Sequence, residues 1–359
     1  MNLMKCLPVL ICLVSTRFVK AQQSSSIQVL LDERCKHHYT SLQPAEIKDK
    51  EKARFPFKTI EVADYRADSV RSGFFSSHGQ QYDLLFKSGT GRAISSFLNE
   101  DYTNPSATRT LLVVIKRLWV SDVVYKDQPS DIPQTFGSQI SFRAETYVKE
   151  SAGYIPLTFF DTLIVSNKNA AEIIPFRLPA LITRFAEKIN SLDVNATVSR
   201  ATRVVSYTFI DSFSNKIFLH PMDMVDTLQK GVYASFEEFK NNRPSIFDYE
   251  VKQEDNSLMA LHLRDEQGKA YYSRKMWGYC DGQQIYVMMD GNLFPTFPYN
   301  RAYYVFGSKD YQVKKSSVPI IFLLSPVVAV AVGPMVPVSE TVFRKLHFFK
   351  LDMESGEIY

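Results

Sequence analysis

Cysteine is scarce in this sequence, with four residues in 359, and net charge is small, at +4. So few cysteines exclude a fold held by a disulfide framework. So little charge excludes the basic footprint of a nucleic-acid-binding protein. Short chemical signatures are missing too. There is no H-E-x-x-H, no paired C-x-x-C and no EF-hand loop. Neither a G-x-S-x-G elbow nor a P-loop or dinucleotide fingerprint occurs. The six histidines are His37, His38, His78, His220, His262 and His347. Only Cys35-Lys-His37-His38 forms a close group, and zinc needs three or four converging ligands. No metal and no cofactor are therefore expected, and catalytic residues stay unassigned. What remains is ordinary globular composition, 45% hydrophobic and 22% charged, with room for two or three domains.

The first 21 residues read as a signal peptide. Met1 to Lys5 is a short positive region and Cys6 to Thr16 an apolar core too short to span a bilayer. Val19-Lys20-Ala21 then offers a cleavage site before Gln22. Cleavage removes Lys5, Arg17 and Lys20 but no acid, leaving 39 positive and 38 negative side chains, a net of +1. No electrostatic steering toward an anionic partner follows from such a balance. Neither Cys6 nor Cys12 sits in a lipoprotein pattern, so the exported chain is expected in the periplasm, on the outer membrane or secreted, without a lipid anchor. Cys35 and Cys280 remain; in an oxidising compartment they could pair, or both could be small buried side chains.

Hydrophobic periodicity predicts an N-terminal α+β domain over 22–195, an antiparallel sheet with helices on one face. Lys58–Ala63, Thr110–Val124, Ser138–Val148 and Leu157–Val165 read as strands, the last two joined through Gly153. Tyr82–Phe86 and Ala93–Leu98 have helical spacing, and Ser88-Gly-Thr-Gly91 is a break or a helix start. Pro179 opens a helix to Ile189, with Leu181, Ile182, Phe185, Ala186 and Ile189 as its apolar stripe. The polar stretch 190–203 marks a boundary. A β-rich domain over 204–315 follows, with hairpins at Asp281-Gly282, a type I′ signal, and Asp290-Gly291. Ser235-Phe-Glu-Glu238 is a capping box before a short helix.

Three motifs in the second half resemble a known family. Gly231-Val-Tyr233, Ser235-Phe-Glu-Glu-Phe239, Asn242 and Pro244 form one. Trp277-Gly-Tyr-Cys-Asp-Gly282 with Ile285-Tyr286 forms another, and Leu351-Asp-Met-Glu-Ser-Gly356 closes the chain. Together, over about residues 225–359, they resemble a family of exported Bacteroidota proteins of unknown function. The resemblance implies a Gram-negative envelope setting and brings no activity. Read physically, the motifs are turn, cap and packing residues, with Phe236 and Phe239 sharing a helix face and Trp277 and Tyr279 sharing a strand face.

Val318–Val338, in a segment over 316–338, carries no charge over 21 residues but contains Pro319, Pro326, Pro334 and Pro337. Its length suits a membrane crossing, its prolines and valines suit buried strands, and an apolar partner-binding patch is a third reading. Residues 339–359 read as a terminal strand and turn. Phe294, Phe297, Tyr299, Tyr303 and Tyr304 could line an aromatic surface for a glycan or protein, or fill a core. Cys280 with His262 is the nearest approach to a nucleophile pair. The expectation is an exported, non-enzymatic binding, assembly or structural module whose partner is an envelope protein or a glycan, with no nucleic acid; any membrane contact would run through Val318–Val338. The alternative is a secreted hydrolase whose site one sequence does not display.

Overall fold

The computed structural model describes residues 28–43, 55–78, 80–124, 136–216, 219–225, 227–253, 259–289, 291–299, 301–307 and 346–359. The leader and the apolar run Val318–Val338 lie outside these residues, as does the end of the expected β-rich domain, residues 308–315. The fold is α+β and divides into two units, residues 35–218 and residues 219–359 together with the helix at 28–34, α1.

In chain order the first unit contains β1 (Lys36–Thr40), β2 (Phe57–Asp64), β3 (Arg71–Ser77), β4 (Gln80–Phe86), α2 (Thr90–Asp101), β5 (Arg109–Val124), β6 (Phe136–Glu150), β7 (Gly153–Ser166), α3 (Ala170–Asn190), α4 (Val194–Arg200) and α5 (Tyr207–Lys216). The β-branched run predicted as a strand is β5, the axis of a seven-stranded sheet ordered β1-β4-β3-β5-β6-β7, with β2 also on β5. The β5–β6–β7 meander is antiparallel, as alternation implies. The sheet also carries three parallel pairings, β1 with β4, β2 with β5 and β3 with β5.

Alternation along β5 and β6 puts Leu111, Val113, Ile140 and Phe142 on one face, where Phe97 of α2 and Phe185 of α3 join them in the core. The expectation of helices on one face describes α2 and α3. The exception is α5, whose Ile210 packs on the other face with Leu112 and Val114.

Three local readings are corrected. Tyr82–Phe86 is strand, not helix: β4 lies between β1 and β3, and a strand covered on both faces loses clean alternation. Helix α3 begins nine residues before Pro179, capped by Asn169, whose side chain accepts from the Glu172 N–H; Pro175 and Pro179 lie inside it. The prolines hid a stripe that starts at Ile173 and Ile174 and continues through the expected residues. The polar stretch 190–203 holds α4, capped by Asp193, and the division between units falls after residue 218. A seven-residue helix burying only Val194 leaves no periodic signature.

The second unit contains α6 (Pro221–Met224), β8 (Gly231–Tyr233), α7 (Phe236–Lys240), β9 (Tyr249–Gln253), β10 (Met259–Arg264), β11 (Ala270–Tyr272), β12 (Gly278–Cys280), β13 (Ile285–Met289), β14 (Asn292–Tyr299), β15 (Ala302–Gly307) and β16 (His347–Leu351). They form a nine-stranded sheet whose main path is β11-β10-β14-β13-β12-β8. The stretch from Tyr271 to Cys280 that leads into the Asp281-Gly282 hairpin is two strands, β11 and β12, and not one. The hairpin after Cys280 turns one residue later than expected. Asp281 and Gln284 flank the corner, Gly282 takes φ 100°, and the Asp281 carboxylate accepts from the Gln283 and Gln284 N–H groups. That side-chain bond is an Asx turn, which replaces the type I′ geometry. Among the described residues no helix is long and apolar enough to cross a membrane.

Candidate functional site

The polar centre of the first unit lies where a parallel ladder is interrupted. β2 pairs with β5 up to Ile115, and β3 resumes at Val120. Residues 66–70 leave the ladder between these points, after the Tyr65 N–H has donated to the Ile115 carbonyl at 2.9 Å. Into the interruption goes Arg66, buried and held bidentate by Asp64 at 2.9 Å to each oxygen. Its Nη1 donates to the carbonyls of Arg71 (2.8 Å) and Leu118 (3.4 Å) and to Ser72 Oγ (3.1 Å), and its Nη2 donates to the Ser69 carbonyl (3.0 Å). A planar guanidinium with five donors thus does the work of a short stretch of strand backbone. Where the ladder resumes, the backbones come so close that a Cβ on Gly73 would lie 2.1 Å from the Val120 carbonyl oxygen.

A second buried guanidinium adjoins the first. Arg71 lies 3.3 Å from Asp83 and 3.8 Å from Asp68. Asp68 turns the loop by accepting from the Val70 and Arg71 N–H groups. Asp83 also meets His37 Nδ1 at 2.8 Å, and burial pushes its carboxyl up against the pull of His37 and Arg71. Ser72 Oγ bonds Thr90 Oγ1 at 2.9 Å, tying the interruption to the start of α2. Ser88-Gly-Thr-Gly91 is thus a turn and a helix start, with Gly89 at φ 81° and Thr90 buried. No spacing in the sequence marks this cluster, because alternating charges from Asp64 to Arg71 carry no periodic signal; only the register of β2 and β3 on β5 buries Arg66, Asp68 and Arg71. The charges pair with one another, so the arrangement locks the sheet.

His37 and His38 of the only close Cys/His group diverge, as neighbours on a strand do. His38 sits edge-on to Phe75 at 5.2 Å while His37 faces Asp83. Among the described residues no group of three or more His, Cys, Asp or Glu could hold a metal ion. Cys35 and Cys280 belong to different units, and each is a buried thiol engaged within its own. Cys35 Sγ lies 3.5 Å from Gln81 Oε1, and Cys280 Sγ accepts from the Gly282 N–H at 3.3 Å. Burial raises the Cys280 thiol to about 11, which opposes thiolate chemistry there. His262 lies on β10 against Tyr272.

In the second unit the three motifs build one another. β12 pairs with β8, setting Gly278 opposite Tyr233 and Cys280 opposite Gly231. Gly231 packs on Pro244, where a Cβ would come within 2.7 Å. The Tyr233 hydroxyl donates to Asn242 Oδ1 (3.1 Å), and Asn242 holds φ 50°. Ser235 Oγ accepts from the Glu238 N–H, while Glu238 reaches back to the Ala234 N–H at 2.7 Å, one residue earlier than a standard capping box. Phe239 stacks on Trp277 with ring centroids 4.2 Å apart, and Phe236 closes on both. Gly356 of the tail lies against the Phe236 ring. Trp277 therefore points to Phe239, whereas Tyr279 stacks on Tyr286 in a separate cluster; the expected shared face fails because Trp277 precedes the strand.

The proposed aromatic platform is mostly interior. Phe294, Phe297, Tyr303 and Tyr304 are buried, and Tyr299 is half-buried. The Tyr303 hydroxyl donates to Asp223, and burial holds it well above the ordinary tyrosine range. Paired strands β14 and β15 turn these rings inward, against Phe239 in the case of Tyr303.

Surfaces that could bind lie elsewhere. β7 ends its sheet, and beyond a single bridge between Tyr154 and Val205 its outer edge pairs with no strand among the described residues. On one face of it Phe159, Leu163 and Val165 are 51%, 58% and 53% exposed. Asp161 in the same row is paired with Arg143 at 2.8 Å. The signal was present in Leu157–Val165, which is apolar at both odd and even positions although only one set reaches the core. No protein-family model and no curated protein matches the chain.

Proposed function

We propose that this protein is exported to the cell envelope and serves there as a non-enzymatic binding or assembly module, taking an extended segment of a partner protein along β7. One observation carries the reading: a fourteen-residue terminal strand presents an outward row of three large apolar side chains whose only interposed charge is neutralised. Soluble proteins ordinarily blunt such an edge with charge, proline or cover; the one proline of β7, Pro156, precedes the apolar row, and Phe159–Val165 contains none. Added strands use its main-chain groups for affinity and alternate side chains for selectivity. The leader-like N-terminus and the motif resemblance support the envelope setting.

The test is fractionation of cells carrying the tagged full chain, followed by cross-linking with and without Leu163→Lys. The expected result is recovery in an envelope or secreted fraction, in a cross-linked species that the substitution abolishes while the circular dichroism spectrum is unchanged. Retention in the cytoplasm, or a complex indifferent to Leu163→Lys, overturns the reading.

A further inference from the structure

Helix α5 is amphipathic in the wrong sense for a helix on a soluble domain. The side chains it buries are Ile210 and a serine, Ser214. The side chains it turns outward include Phe209 and Phe213, 45% and 49% exposed, with parallel rings 6.1 Å apart. Tyr207 and Val204, just before them, are also exposed. A helix that hides a hydroxyl and displays two phenylalanines has its larger apolar area facing away from its own core.

Charge around this row is sorted as well. Arg200, Arg203 and Lys216 are exposed, and the Arg203 guanidinium lies 5.0 Å from the Phe209 ring centre. Asp211 is the one acid between residues 200 and 216, and it is turned inward. It accepts from the Tyr65 hydroxyl at 2.6 Å and from Asn215 at 3.1 Å. The outward face thus combines aromatic rings with cations that form no ion pair among the described residues. Lys116, beneath the helix, is engaged by Ser214 and Glu145 and belongs to the packing.

We infer that the outward face of α5, with the loop 201–206 before it, is a contact surface for an anionic bilayer. Aromatic rings favour the boundary between headgroups and acyl chains, and exposed arginine and lysine favour anionic headgroups. The contact lies on the surface, because a ten-residue helix is too short to cross. It goes beyond the reading of β7 and does not depend on it.

The experiment uses the full mature chain with vesicles of phosphatidylcholine alone and of phosphatidylcholine with phosphatidylglycerol. Co-sedimentation is expected with the anionic vesicles only, weakening as salt is raised. The surface pair F209S/F213S should lower that partition about tenfold or more while leaving the fold intact by circular dichroism. F213W in a Trp119→Phe, Trp277→Phe background should give a tryptophan emission that shifts to the blue on adding anionic vesicles and reports on α5 itself. The inference is overturned if the wild-type chain ignores anionic vesicles, or if F209S/F213S binds them equally well, which would place the contact elsewhere, as in Val318–Val338. An unshifted F213W overturns it too. So does loss of a dimer in light scattering on F209S/F213S, which would make the face a contact between copies of this chain.

Discussion

In residues 35–218 three consecutive strands run for 16, 15 and 14 residues, whereas no described strand of the second unit exceeds eight. The first unit buries aliphatic rows between a long ladder and helices. Around α7 the second unit works with rings: Phe239 meets Trp277, Tyr233 and Tyr303 within 6.0 Å. Long ladders take their stability from many equivalent pairs, so damage is spread. Short strands depend on a few ring contacts and caps that each matter more.

Single substitutions can break or sharpen that contrast, because each unit holds one of the two tryptophans, Trp119 and Trp277. The largest effect is expected for Phe239→Ala, a loss of about 3–5 kcal/mol from the second unit. Denaturant unfolding followed by Trp277 in a Trp119→Phe background should shift, and the Trp119 signal in a Trp277→Phe background should not. If both signals move together, the units do not unfold separately. Next is Arg66→Leu, which leaves the partly buried Asp64 without its partner beside an interrupted ladder and should cost the first unit about 3 kcal/mol. Arg66→Lys keeps the charge and loses the fork, so its midpoint should fall between wild type and leucine; equal midpoints for wild type and lysine would show that charge alone suffices. Ser235→Ala removes the α7 cap and should cost about 1 kcal/mol, again in the Trp277 signal alone.

The smallest effect concerns pH. Burial raises the Asp122 carboxyl to about 6, against the pull of the Ser76 and Ala170 N–H groups. The folded state therefore holds this proton more tightly than the unfolded chain, in which an aspartate titrates near ~3.9. Its contribution to stability is whole below that value and is lost as pH rises through about 6. Asp122→Asn should flatten the first unit's midpoint over this interval and leave the second unit's profile unchanged. A persistent slope in the variant would assign the effect to another group.

Legibility in the sequence follows the same contrast. Strand β5 could be read because it is long and rich in β-branched residues, β6 because its faces alternate, β7 because it is a short apolar run after a glycine turn, and the Ser235 cap because it is local. β4 could not, since a central strand with Asp83 and Leu84 both buried has no polar side to show. Nor could β3, whose Arg71-Ser-Gly-Phe-Phe lacks alternation. Whether an arginine is solvated or fills a ladder depends on a strand that arrives decades of residues later. The exposed phenylalanines of β7 and α5 were visible as residues, but their outward direction is a property of packing.

The interrupted edge of β5 also orders events during synthesis. β2 and β3 leave the ribosome before the strand they both lie along, while β6 and β7 follow it and can zip on as they appear. The β3–β4 hairpin can close at once, but β2 has to wait for its template. Arg66, between β2 and β3, finds its acceptor on Leu118 only when that template arrives. Leu118, the last of these acceptors to be made, therefore decides when Arg66 can settle.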